Sequence, residues 1–161
     1  MKKLYSLFRL AKIVRKHKKR WKRVVLANGC FDLIHVGHIR YLKEAREKGD
    51  ILVVALNSDS SIQTLKGKGR PILNQRERAE IISSFSFVDY VTFFKEQNVE
   101  KVLLALKPDI HSKGSDYTKE TVPEKETVKV YGGAIAITGG PKIKSTSQLI
   151  DEIASKIKKT D

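Results

Sequence analysis

Ile51-Leu52-Val53-Val54-Ala55-Leu56 is apolar at all six positions. That is the pattern of a strand covered on both faces, and such strands belong to parallel sheets flanked by helices. On either side of this run, short β-branched segments recur at residues 24–27, 88–93 and 135–138. The segments between them carry apolar residues at helical spacing. Strands that alternate with helices predict a parallel sheet with helices on both faces.

The helices can be placed by their start and stop signals. Residues 38–48 read as a helix that stops at Gly49, and Asn74 with Glu77 three residues later starts a helix running to Phe85. A third helix spans 96–106 and ends before Pro108, and Asp109-Ile110-His111 reads as a further short strand. The last helix begins at Ser145-Thr146-Ser147 and sets Ile150, Ile153 and Ile157 on one face, which predicts packing against the sheet. Near the start of the chain, Leu4, Leu7, Phe8, Ala11 and Val14 form a stripe, so residues 1–23 are expected to be a docked basic helix plus connector. The expected fold is α/β: a Rossmann-like open parallel sheet over residues 24–161, with this basic N-terminal helix added. At 161 residues, with no Gly/Pro/Ser-rich linker, the chain holds one domain and an extension.

A net charge of +14 invites a nucleic-acid partner, but the distribution argues otherwise. Residues 1–23 hold eleven bases and no acid, leaving 21 bases against 18 acids in the remainder. The excess belongs to the arm, so a nucleic-acid role for the body is not expected. Cys30 is the single cysteine, which excludes an internal disulfide and suits a reducing compartment. Arg9 and Lys12 interrupt any secretory apolar stretch, and no apolar run approaches the ~20 residues of a membrane helix. A cytoplasmic protein without a membrane span is expected.

Function concentrates after the first strand, in Asn28-Gly29-Cys30-Phe31-Asp32-Leu33-Ile34-His35-Val36-Gly37-His38. In an open parallel sheet the ligand crevice lies at the carboxyl ends of the strands, where a strand-to-helix turn offers free N–H groups to phosphates. His35 and His38 are three apart on the opening turn of a helix, so both rings can lean toward one ligand. Gly37 between them is expected to let a nucleotide approach the backbone. Zinc fits poorly, since Cys30 stands alone and no second cluster with ligand spacing follows. A Cys–His nucleophile is not needed for phosphoryl chemistry, which rests on positioned charge.

These residues, Asn28-Gly29-x-Phe31-Asp32-x-x-His35-x-Gly37-His38, resemble the signature of the cytidylyltransferase-like nucleotidyltransferases. Further matches are Asn57-Ser58-Asp59, Leu65-Lys66-Gly67, Arg70-Pro71-Ile72, Glu77-Arg78, Val88-Asp89, Lys113-Gly114-Ser115-Asp116-Tyr117, Gly132-Gly133 and Ser145-Thr146-Ser147. Together they are similar to the adenylyltransferases of the ADP-heptose pathway. The resemblance implies AMP transfer from ATP to D-glycero-D-manno-heptose 1-phosphate, with Mg²⁺ carried by the phosphates and a homodimeric enzyme. It implies that His35 and His38 contact the α-phosphate, with Lys66 as a third catalytic group. Asn28, Gly29, Cys30, Phe31, Gly37, Arg78, Lys113, Gly114, Ser145, Thr146 and Ser147 would hold the nucleotide. Asp32, Asn57, Asp59, Arg70 and Asp116 would hold the acceptor.

Residue chemistry agrees with several of these roles. Imidazole donors at His35 and His38 would stabilise the equatorial oxygens of the transition state. Lys66, Lys68 and Arg70 sit in a Gly-rich basic segment expected to be a flexible loop near the phosphates, and Lys142 and Lys144 add phosphate-binding charge before the final helix. Arg78 in the first turn of its helix opposes the helix dipole, which hints at a task. His111, inside a strand, is expected to be packed rather than catalytic. The alternatives are a glycerol 3-phosphate cytidylyltransferase or an FAD-forming adenylyltransferase. A further alternative, of another class, is a polyanion-binding module using the arm.

Overall fold

The computed structural model describes residues 2–141 and 145–157. Twelve elements alternate along them: α1 (Leu7–Lys18), β1 (Val24–Gly29), α2 (Val36–Glu47), β2 (Ile51–Asn57), α3 (Asp59–Lys66), α4 (Gln75–Ser84), β3 (Tyr90–Phe94), α5 (Glu100–Leu106), β4 (Ile110–Gly114), α6 (Lys125–Val130), β5 (Ala134–Thr138) and α7 (Thr146–Ile157). The strands form one wholly parallel sheet in the order β3-β2-β1-β4-β5. The order reverses direction between β1 and β4, the position at which such sheets open a ligand crevice.

Alternation along the strands builds two cores. Val25 and Ala27 of β1 with Leu52, Val54 and Leu56 of β2 face one side, where Leu42 and Ala45 of α2 and Ala79 and Ile82 of α4 cover them. Val24, Leu26, Val53 and Ala55 face the other side, against Leu10 and Val14 of α1, Val102, Leu103 and Leu106 of α5, and Val128 of α6. Residues 52–56 are all fully buried, so the continuous apolar run does mark a central strand.

The sheet's two edges differ. Leu4 forms a parallel bridge with Val91 of β3, with Tyr5 N–H donating to the Val91 carbonyl and Val91 N–H donating to the Lys3 carbonyl. The N-terminal segment therefore covers the β3 edge. Among the described residues β5 has no strand on its outer side, and Ala134 there is exposed.

Several boundaries differ from the sequence expectation. α3 and α6 were not expected; Ser58 caps α3 by accepting from Ser61 N–H, and so Lys66 is the last residue of a helix rather than part of the loop. α5 starts at Glu100 instead of 96, because Asn98 accepts from Glu100 N–H and holds a turn ahead of it. The expected packing of Ile150, Ile153 and Ile157 on the sheet does not occur. Thr146 is the only buried residue of α7, and Ile153 and Ile157 are exposed. Periodicity records that a helix has an apolar face, not what that face meets.

The N-terminal stripe is also rotated. Leu10 and Val14 are fully buried, whereas Phe8 is 71% exposed. Replacing Leu10 by Ala should cost about 2–4 kcal/mol by opening a cavity, and Phe8→Ala less than about 0.5 kcal/mol. Urea midpoints check this; a larger loss for Phe8 would contradict the packing.

Candidate active site

The carboxyl ends of all five strands line one cleft of about 700 Å³, with Phe94 at the end of β3. Asn28 and Gly29 end β1, Asn57 ends β2, Lys113 and Gly114 end β4, and Thr138 ends β5. The turn from β1 to α2 forms its floor. Phe31 adopts a left-handed backbone (φ 47°) and is 2% exposed, its ring stacked on Tyr41 at 6.1 Å and tilted against His38 at 5.3 Å. A Cβ on Gly29 would lie 3.0 Å from that ring, so the glycine is needed where the phenylalanine folds back.

His35 and His38 cap α2 reciprocally. His35 Nδ1 accepts from Gly37 N–H at 3.2 Å, and His38 Nδ1 accepts from His35 N–H at 3.4 Å. Each backbone donor occupies an Nδ1, which places the ring proton on Nε2. The two rings lie 3.9 Å apart at 32°, and both line the cleft, so it is furnished with two Nε2–H donors. Gly37 has a different task from the one expected. A Cβ there would press on the His35 ring at 3.0 Å, so the glycine makes room for the histidine before any ligand arrives.

Burial chiefly, then the neighbouring His35 and Lys66, pushes His38 down to about 4. Burial also lowers His35. Both rings are therefore neutral at pH 7 and act as donors rather than as cations. His111 is fully buried in β4, as a packed residue should be, and its Nε2 lies 3.1 Å from Asn28 Oδ1. It holds the Asn28 side chain at the cleft from behind.

Lys66 lines the cleft from the end of α3 and Lys113 from β4. Lys113 Nζ lies 3.3 Å from Glu124 in a buried ion pair and 4.7 Å from the Tyr117 ring centroid. The base assigned to phosphate thus already has a carboxylate partner. Cys30 also lines the cleft, with its thiol pushed up by burial, which suits an inert wall group rather than a nucleophile. Ser145 and Thr146 line it from the head of α7. Lys142 and Lys144 lie outside the described residues.

Asp32 lines the cleft but already has protein partners; Arg78, Asp59, Arg70 and Ser147 are not in the cleft wall. Arg78 is fully buried behind it: Nη1 donates to the Cys30 carbonyl (2.6 Å), Nε to the Leu73 carbonyl (3.1 Å), and Nη2 to the Asn57 carbonyl and the Asp59 carboxylate (both 2.8 Å). With each of its three nitrogens bonded to protein, Arg78 braces the site from behind the wall. Asp59 is likewise committed to Arg78 and to Gln75 N–H. Asp32 and Arg70, both expected on the acceptor, bind each other at 2.7 Å, and Asp32 also accepts from Ile72 and Leu73 N–H. Those bonds hold Asp32 below the usual carboxylate range despite its burial. Ser147 is exposed and outside the cleft wall. Of the residues expected on the acceptor, Asp32, Asn57 and Asp116 line the cleft.

Sequence reasoning missed Tyr41, Gln97, Asn98, Glu124 and Thr138, which also line the cleft. Tyr41 was accessible to it, three residues beyond His38 on the same helix. Glu124 had no local signal, because only the fold brings it to Lys113. Among the described residues, no group of three or more His, Cys, Asp or Glu side chains could hold a metal ion.

The comparisons with known proteins place this architecture. Residues 26–152 match the cytidylyltransferase-like family model, and the chain belongs to that family. It is 46% identical over 151 residues to the bifunctional protein HldE of Geotalea uraniireducens, covering 94% of this chain and 31% of that protein. It is 44% identical over 144 residues to the HldE protein of Pelobacter propionicus, covering 89% and 30%. The chain thus spans under a third of the length of these relatives. Among solved structures, a lipopolysaccharide core biosynthesis protein from Thermoplasma volcanium superposes with a TM-score of 0.59 at 33% identity, covering 72% of this chain and 93% of that one. The pantoate-beta-alanine ligase of Francisella tularensis, at 15% identity and a TM-score of 0.64 over 89% and 68% of the two chains, shares the fold.

Two outcomes test the geometry. His111 is also pushed down, by burial chiefly and then by Lys113, so His38 and His111 take up protons in the unfolded chain near pH 6.5 but not in the folded one until about pH 4 for His38 and about 3 for His111. Folding stability should therefore be flat above pH 7 and fall as pH drops through 6.5 toward 4. His111 alone should account for about 2 kcal/mol between pH 7.5 and 5. Urea titrations at those two pH values check this, and His111→Gln should shrink the difference. Arg78→Lys cannot serve four acceptors spread over a fork. It should lower stability by about 2–4 kcal/mol through groups left unsatisfied, measured by thermal and urea unfolding.

Proposed function

We propose that this chain is an adenylyltransferase that moves AMP from ATP to D-glycero-D-manno-heptose 1-phosphate, releasing pyrophosphate and forming ADP-heptose. The observation that carries nucleotidyl transfer is the pair of neutral imidazoles at the head of α2, their ring centroids 3.9 Å apart and an Nε2–H on each, in a cleft at the sheet's reversal point. The helix N-terminus and these donors suit an α-phosphate. An acceptor phosphate oxygen attacks the α-phosphorus in line as the bond to the bridging oxygen of pyrophosphate breaks. The charge growing on the equatorial oxygens is met by donors already fixed by the backbone. Lys66 on one wall offers charge to the phosphates, and Ser145 and Thr146 at the head of α7 offer hydroxyls and N–H groups.

Mg²⁺ belongs to this reading as part of the substrate, entering with ATP and held by phosphate oxygens. The acceptor assignment rests on the HldE relatives and the lipopolysaccharide core neighbour. It is supported by Asn57 and Asp116 on the wall, an amide and a carboxylate suited to sugar hydroxyls. The family resemblance also carries a homodimer and a cytoplasmic location.

Replacing His35 or His38 by Ala should reduce turnover on the order of a hundredfold or more with the fold intact by circular dichroism. Turnover within a few-fold of the parent would reduce the pair to a helix cap. Pyrophosphate release should be much faster with ATP and heptose 1-phosphate than with CTP and glycerol 3-phosphate. The reverse preference would leave nucleotidyl transfer standing and remove the heptose.

A further inference from the structure

The outer face of α1 takes no part in the site or in the core. Its inner face is consumed by Leu10 and Val14, both fully buried. At 100° per residue, Phe8, Arg9, Lys12, Arg15, Lys16 and Lys19 fall within an arc of about 120° on the opposite side, and all are exposed. Two other bases are tied to the body, Lys18 to Asp109 at 3.0 Å and Lys22 to Asp50 at 3.2 Å. Arg9, Lys12, Arg15, Lys16, Lys19 and Arg20 have no ion pair among the described residues. The same end of the helix carries a shallow hollow lined by Ile13, Lys16, His17, Lys19 and Arg20.

The turn after α1 holds the protein's single tryptophan. Trp21 N–H donates to the Lys18 carbonyl and Lys22 N–H to the His17 carbonyl, the closure that normally puts glycine in the left-handed position. Here that position is Trp21, at φ 59° and 95% exposed. Folding gains nothing from an indole there: the backbone is strained for a bulky residue and the ring is in water. Phe8, 71% exposed with Lys12 Nζ 4.3 Å above its ring, marks the other end of the same helix.

We propose that the outer face of α1 and the turn after it dock on an anionic phospholipid bilayer, with the Trp21 indole seated in the headgroup layer. A convex row of bases bounded by two exposed aromatic rings fits a flat, negatively charged, interfacial surface, where tryptophan partitions and lysine and arginine meet lipid phosphates. A single-stranded nucleic acid would instead be gripped in a basic groove with aromatic platforms inside it, whereas neither Phe8 nor Trp21 lines the hollow beside this face. Because the apolar side of α1 is already used, the contact is peripheral, driven by charge and anchored by one ring. The docking leaves the cleft untouched, and its readout does not depend on the reaction assigned above.

Trp21 emission in the full chain reports the contact directly, since no other tryptophan is present. Vesicles of phosphatidylcholine with phosphatidylglycerol should shift it to the blue and expose it to brominated-lipid quenching, while pure phosphatidylcholine vesicles should do neither. The triple variant K12Q/R15Q/K19Q should weaken binding roughly a hundredfold, as three surface charges of ordinary value would give. Trp21→Gly should lose the lipid affinity supplied by the ring, by co-sedimentation, while its thermal midpoint stays equal or rises. An unmoved Trp21 emission with anionic vesicles, or equal responses to both vesicle types, overturns the proposal. So does tighter binding of a single-stranded RNA at equal phosphate concentration, which would give the face to nucleic acid.

Discussion

The guanidinium of Arg78 is the point on which the site's construction depends. It is fully buried and joins three chain segments: the signature turn through the Cys30 carbonyl, the end of β2 and head of α3 through Asn57 and Asp59, and the loop before α4 through Leu73. A buried charge is tolerated only when its donors are satisfied, so this one can exist only while all three segments hold their positions. Asp32 repeats the arrangement with opposite sign, taking Arg70 and two N–H groups of the same loop. The cleft wall is therefore fixed by charges whose partners are other parts of the protein, Arg78 from behind it and Asp32 within it.

On that fixed turn the histidines acquire their chemistry from the backbone. A capping box is ordinarily made by a hydroxyl or amide and a carboxylate; here two imidazoles fill both positions. The same hydrogen bonds that start α2 settle which nitrogen carries each proton. Burial then keeps the rings neutral. Helix capping and donor orientation are thus one interaction viewed from its two ends, and Gly37 is small because the His35 ring occupies the space its Cβ would need.

The parts of this structure that depend on local or periodic patterns could be read from the sequence. The apolar run at residues 51–56, the Asn74–Glu77 capping box and the strand-to-helix turn at residues 28–38 each carry their own signal, and the family motif located the cleft. Long-range pairing could not be read in this way. Nothing near Arg78 in the chain says that its acceptors lie at residues 30, 57 and 59, so a cation in a first helical turn looked like a ligand contact. Asp32 and Arg70, 38 residues apart, looked like two binding groups and are one ion pair. The short helices α3 and α6 offer too few turns for periodicity to register, and an amphipathic pattern could not tell that α7 leaves Ile153 and Ile157 in solvent.

The strap of residues 3–5 along β3 bears on how the molecule fails as well as how it folds. A parallel sheet with a bare margin offers its N–H and C=O groups as a template for foreign strands. On the β3 side that template is partly covered by the chain's own beginning, whereas β5 presents Ala-Ile-Ala-Ile-Thr without a charge. Among the described residues, misassembly by strand addition has one open direction. Loss of residues 3–5 would open the second, turning a sheet that can be extended once into one that can be extended from both sides.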